Sequence, residues 1–152
     1  PPPIYLGALG PRLTRAAAEV ADGLLVMPFG TTRFLREHTL PAVRAGLAAA
    51  GRREEDFEVV PEVIVSVATG RDDDHLSTRR LLAFYGSTPA YRPVLISDDI
   101  LHTIAACGTP AEVAAHVRDR VEGVSDRLCL YQTGPIATDA LAQIVDALAA
   151  DR

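Results

Sequence analysis

The stretch Tyr5-Leu6-Gly7-Ala8-Leu9-Gly10-Pro11-Arg12-Leu13-Thr14-Arg15-Ala16-Ala17-Ala18-Glu19-Val20-Ala21-Asp22-Gly23-Leu24-Leu25 decides how this chain is read. The apolar run from Ile4 to Leu6 predicts a strand, and Gly7-Ala8-Leu9-Gly10 the turn after it. Pro11 stands where a helix begins, because its missing N–H would lack an intrahelical acceptor there anyway. Leu13, Ala16, Ala17 and Val20 recur at helical spacing and are expected to face inward, with Arg12, Arg15 and Glu19 mostly off that face. Asp22-Gly23 stops the helix, and Leu24-Leu25-Val26-Met27 begins a second strand. The amides of Arg12 and Leu13 then lie at a helix start, whose partial positive charge suits a phosphate or a carboxylate. A βα turn can also carry glycine for steric reasons and bind nothing. Neither the spaced three-glycine dinucleotide fingerprint nor a Walker-type lysine is present.

The same alternation continues along the chain. Pro28-Phe29-Gly30-Thr31-Thr32 reads as a loop in which Thr31 or Thr32 caps a helix running through Phe34 and Leu35 to Val43, Leu47 and Ala50. Pro41 inside it predicts a kink or a late start. Phe57 to Ala68 is rich in β-branched residues, which predicts a strand buried on both faces, as in a parallel sheet. Asp72-Asp73-Asp74 reads as the first turn of a helix carrying Leu81, Leu82, Phe84 and Tyr85, and no spaced oxygen-ligand loop follows it. Ser87 to Leu95 is irregular, and Ile96 to Ala106 has a short helical pattern.

Thr109-Pro110-Ala111-Glu112 forms a complete capping box, and Val113, Val117 and Val121 give the inner stripe of the helix it opens. Ser125 to Tyr131 is a strand, Gln132 to Pro135 a loop, and Thr138 the expected cap of a last helix with Leu141, Ile144, Val145 and Leu148 on one buried face. Strands near residues 4, 24, 59 and 127, each followed by helix, imply an α/β class with parallel strands.

Composition narrows the function. A chain of 152 residues, 48% hydrophobic and 23% charged, is ordinary for one globular domain. A net charge of −5 argues against a nucleic-acid surface. No apolar run approaches the roughly 20 residues a membrane span needs, and no signal peptide is visible, so a cytoplasmic setting is expected. Cys107 and Cys129 lack partners at metal spacing and read as buried thiols. His38, His75, His102 and His116 are scattered, without metal spacing or an adjacent nucleophile, and read as surface or capping residues. No metal is expected. Tyr85 and Tyr91 flank the irregular loop, Arg79-Arg80 reads as an outward face, and Gln132 and Thr133 end the last strand on the side where barrel active sites form. The chain opens Pro1-Pro2-Pro3 without methionine and enters a strand almost at once, which suggests a piece of a longer protein.

Tyr5 to Pro11, Ala21-Asp22-Gly23-Leu24-Leu25, Leu40-Pro41-Ala42-Val43-Arg44-Ala45-Gly46 and Gly108 to Val113 followed by Asp126-Arg127-Leu128 resemble the luciferase-like monooxygenase superfamily. The closest flavour is the branch of F420- and FMN-dependent oxidoreductases that uses the deazaflavin coenzyme F420. The resemblance runs from Ile4 to Leu148 and is poorest between Gly86 and His102. It implies the C-terminal half of a (β/α)8 TIM barrel, a fold of about 250 residues. The four strands would be the last four of that barrel, with the N-terminal half absent across 1–152.

Carried over position by position, Leu9, Gly10, Arg12 and Leu13 match those that hold the cofactor's phosphate-bearing tail, while Gly7 and Ala8 line the same strand end. Family members often have a second glycine where Leu9 stands. Sugar-phosphate-oxidising relatives carry polar and lysine residues at the positions of Met27 and Gly30, so the resemblance implies a more apolar organic substrate here. Catalytic acids or bases are expected from the absent half, and the isolated chain is expected to be inactive. The implied cofactor is coenzyme F420, with FMN as the alternative. The implied partners are a small-molecule substrate and either a homo-oligomer or the missing N-terminal half. The competing reading is a non-catalytic half-barrel module that works only on assembly, because four strands of eight leave two open edges. A small doubly wound sheet fits the alternation but not the motifs.

Overall fold

The computed structural model describes residues 1–70, 75–89, 100–125 and 127–150. The expectations resting on Asp72-Asp73-Asp74, Tyr91, Pro93, residues 96–99 and Asp126 lie outside them. The chain falls into two units, Pro1–Glu62 with Val121–Cys129 and Val63–Arg120 with Leu130–Arg152.

In the first unit, β1 (Tyr5–Ala8), α1 (Pro11–Val20) and β2 (Gly23–Val26) follow one another as the spacing predicts. The next helix is built in three parts, α2 (Thr32–Phe34), a π-helical Leu35–Thr39 and α3 (Leu40–Ala50). Thr31 caps it, its hydroxyl accepting from the Phe34 amide at 3.1 Å. The π turn accounts for Pro41. Proline has no amide to donate, and just ahead of it the Leu40 amide reaches back to the Leu35 carbonyl, a longer closure than an α-turn.

A single 3-10 turn, Glu54–Asp56, leads into β3 (Glu58–Val67). Strands β1, β2 and the first part of β3 are parallel, with Tyr5 opposite Gly23 and Gly23 opposite Glu58. Asp22 pins their starts. Its carboxylate accepts from the Ile4 amide at 2.7 Å, its amide donates to the Ile4 carbonyl at 2.9 Å, and its carbonyl accepts from Glu58 at 3.1 Å. Gly23 follows because the Tyr5 ring lies where a Cβ would stand.

The core of this unit is Ala8, Leu24 and Val26 from the strands, Ala17 and Ala18 from α1, and Leu35, Val43, Leu47 and Phe57. The inward face of α1 differs from the expected one. Thr14, Ala17, Ala18 and Ala21 are buried, whereas Leu13 is 52% and Val20 77% exposed. Small side chains face inward because α3 crosses α1 at Gly46, too close for anything larger.

In the second unit, the rest of β3 pairs in parallel with β4 (Ala105–Gly108), Ile64 opposite Ala105. Around them are α4 (Leu76–Gly86), α5 (Ile100–Ile104), α6 (Pro110–Val121), β5 (Cys129–Gln132), which also pairs β3, and α7 (Thr138–Ala149). Strand β4 corrects the sequence reading, which carried a helical pattern through Ala106. Ala105, Ala106 and Cys107 have little strand preference of their own, and the ladder with β3 supplies it. The half-buried Arg120 guanidinium holds the end of α5 by donating to the carbonyls of Ile104 and, at 2.6 Å, Thr103.

The capping box forms as expected. The Thr109 amide donates to Glu112 Oε2 at 2.8 Å and the Glu112 amide reaches Thr109 Oγ1 at 3.4 Å. Val113, Val117 and Val121 are all buried. Thr138, by contrast, is the first residue of α7 and caps nothing, and Val145 is half exposed rather than part of the inner face. Among the described residues no helix is long and apolar enough to cross a membrane.

Candidate functional site

The end of β1 delivers the chain into α1 without closing the helix start. Gly10, the residue before the helix, has extended backbone (φ −110°), no side chain caps α1, and its first turn holds no acidic residue. Pro11, Arg12 and Leu13 are exposed. The Thr14 amide is taken by the Gly10 carbonyl at 3.0 Å, the first helical bond, so the amides of Arg12 and Leu13 precede the ladder.

A Cβ built on Gly10 or on Gly7 would meet nothing within 4 Å. Neither dihedral strain nor packing by the described residues therefore requires glycine at Gly10. What its missing side chain leaves is open space in front of a partly positive helix end. That space, with the two amides behind it, fits an anionic group such as a phosphate. Of the expected residues, Gly7, Arg12 and Leu13 are exposed, Leu9 and Gly10 half-buried, and Ala8 buried. In the loop after β2, Pro28 and Phe29 are buried and act as anchors, while Met27 and Gly30 are half-buried.

The second unit holds a cleft of about 120 Å³ at the C-terminal ends of β3 and β5. Its polar side includes Ser66, Thr69, His75, Ser77 and Thr133, and its apolar side Val65, Leu76 and Ile136. Ser66 Oγ and His75 Nδ1 are 2.7 Å apart. Across the cleft Thr133 Oγ1 meets the buried Thr78 Oγ1 at 2.5 Å. His75 precedes α4 in a left-handed conformation, φ 68°. It is the one described non-glycine residue with positive φ.

The sequence reading placed His75 with the other histidines as surface or capping residues. His38, His102 and His116 are indeed exposed, but His75 is half-buried and paired with a serine nine positions earlier. No spacing rule links those two, because a strand residue and the residue before a helix meet only in the folded chain. Thr133, noted from its place at a strand end, does reach this cleft, whereas Gln132 is exposed and does not line it.

An acidic group and a thiol elsewhere are raised together. Glu62 on β3 is held above the usual carboxylate range by burial. The Cys129 thiol is pushed up by partial burial and then by the Glu62 charge. Cys129 is an exposed thiol, contrary to the expectation of burial, while Cys107 is buried.

A family model described as luciferase-like monooxygenase matches residues 1–127. An uncharacterized protein of Mycobacterium tuberculosis (strain ATCC 25618 / H37Rv) is 38% identical over 159 residues, covering 84% of this chain and 46% of that protein. An F420-dependent glucose-6-phosphate dehydrogenase of Nakamurella multipartita is 38% identical over 79 residues, 52% of this chain and 23% of that enzyme. Among solved structures, an F420-dependent secondary alcohol dehydrogenase in complex with an F420-acetone adduct superposes with a TM-score of 0.76 at 17% identity, over 96% of this chain and 48% of the other. That likeness is one of fold, the TIM barrel, and the chain spans about half the length of the proteins it matches along most of its sequence.

Proposed function

The chain belongs to the luciferase-like monooxygenase family, and from that membership we propose that it is the C-terminal half of an F420-dependent oxidoreductase and supplies the seat for the cofactor's phosphate-bearing tail. The observation that carries this reading is the open space at Gly10, where nothing among the described residues calls for glycine. The amides of Arg12 and Leu13 would donate to phosphate oxygens, Gly7 and Ala8 would line the approach, and the Arg12 guanidinium would add a charge-assisted bond. Coenzyme F420 is the cofactor favoured by the named relatives, and FMN is the alternative, because both end in a phosphate-bearing tail. The deazaflavin would supply hydride chemistry, while this chain's residues anchor and orient it. The polar and lysine residues associated with sugar-phosphate substrates are replaced by Met27 and Gly30, which favours a more apolar organic substrate.

Fluorescence titration of the purified chain with F420, and in parallel with FMN, tests the reading. Gly10→Val is expected to leave the thermal transition in place and to weaken binding by at least about tenfold, or roughly 1.4 kcal/mol. Equal affinity of the variant and the parent would remove Gly10 from the site.

A second reading, an assembly module without catalysis of its own, draws on a different observation. Ile4, Leu13 and Val20 leave apolar surface exposed beside β1, which pairs only with β2 among the described residues. An N-terminal half-barrel or a second copy would cover that edge. Sedimentation of the chain alone separates the two: a stable dimer that binds neither cofactor favours the module.

A further inference from the structure

The Ser66–His75 cleft is a built feature with no assigned use, and we propose that it binds a neutral hydroxyl or carboxamide head carried on a short apolar stem. The left-handed His75 carries the first argument. A non-glycine residue held at φ 68° is strained relative to ordinary backbone, and such strain persists only where the surroundings impose it. Here it sets the ring so that Nδ1 meets the Ser66 hydroxyl at 2.7 Å. Among the described residues the imidazole has no other hydrogen-bond partner, so Nε2 is the position left for a ligand.

The second argument is the lining. Apart from His75, no titratable or charged side chain is among the described lining residues; hydroxyls of Ser66, Ser77 and Thr133 face apolar Val65, Leu76 and Ile136. A hydroxyl and an imidazole can each donate or accept, and an alcohol or a primary amide can satisfy both in turn. Among the described lining residues a full charge would meet no fixed counter-ion, which favours a neutral head over a carboxylate or an ammonium group. The volume, about 120 Å³, is somewhat below that of a cavity that takes benzene, so the ligand portion held has about five or six heavy atoms. The stretch from Gly7 to Leu13 contributes nothing to this lining, so the proposal stands whether or not the cofactor reading does.

A matched series of four-carbon probes tests it on the full chain: 1-butanol, butyramide, butyrate and butylammonium. The readout is the imidazole resonance of His75 in protein with labelled histidine, with the exposed His38, His102 and His116 as internal references. His75→Asn assigns the resonance and keeps a residue that tolerates positive φ. Saturable shifts of His75 alone by butanol and butyramide, with the two charged probes at least about tenfold weaker, are expected. Ser66→Ala should weaken the neutral probes by about tenfold through loss of one hydrogen bond at the ring. Equal or tighter binding of either charged probe, no saturable shift at His75, or a Ser66→Ala variant that binds as well as the parent would each overturn the proposal.

Discussion

Gly46 of α3 packs against the carbonyl oxygen of Arg15 of α1, so that a Cβ there would clash with that oxygen and stand 2.8 Å from the Ala18 Cβ. Alanine favours helix over glycine by about 1 kcal/mol. Overpacking a closed interface costs about 1–3 kcal/mol, and here the obstacle is a backbone oxygen that no rotamer change can move. Gly46→Ala should therefore be destabilising in urea unfolding. Gly10→Ala, where the added Cβ meets nothing within 4 Å, should change stability by no more than about 0.5 kcal/mol. The pair separates a glycine needed by packing from one that is not.

Arg52 donates through Nη1 to the carbonyls of Ala18 and Ala21, at 2.9 and 2.6 Å, and its guanidinium lies 5.8 Å from the Phe57 ring centre. It thus closes the C-terminal end of α1, where the last carbonyls lack intrahelical donors. Arg52→Met should cost about 1.5–3 kcal/mol, the range for a hydrogen bond made by a charged group. Arg52→Lys should recover only part of that, because an ammonium lacks the planar fork. Thermal unfolding of both variants checks this.

The Glu112 carboxyl is held below the usual range by the Thr109 amide, then by the Thr109 hydroxyl. An acid with a depressed folded value stabilises above its unfolded value of about 4.3, and that contribution disappears as pH falls through the folded value. Glu112→Gln should flatten the acid side of a melting-temperature profile below about pH 5. An unchanged slope would mean that the box carries no pH-dependent part. Thr109→Ala should cost about 1 kcal/mol at neutral pH.

Glu62 has the opposite sign. Burial raises its folded value, so at neutral pH its charge destabilises the fold, and the penalty is relieved as pH falls through the raised value. Glu62→Gln is expected to raise the melting temperature at pH 7. It should also speed thiol labelling of Cys129 near neutral pH, since the Glu62 charge is one of the two causes that raise that thiol. Cys107, buried in the same native protein, should label only on unfolding.

The legible parts of the sequence were those decided within a few residues. Thr31, the Thr109–Glu112 box and the β-branched run of β3 all act through neighbours close in the chain, and the structure has them as expected. The strand end at Ala8 and the helix start at Pro11 were legible for the same reason. Where a choice depended on a distant element, the reading failed. The inward face of α1 is set by the close crossing of α3, not by which residues are most apolar. The strand at Ala105–Gly108 exists because β3 offers it a ladder.

By itself, then, the sequence determined the alternation of parallel strands and helices, the caps and the glycine-bearing turn, because propensity, capping and periodicity are local energies. Tertiary structure alone decided which face of α1 is buried, that Gly46 must be small, and that Ser66 meets His75. Those depend on how closely separate elements approach, and a list of side chains does not contain that distance.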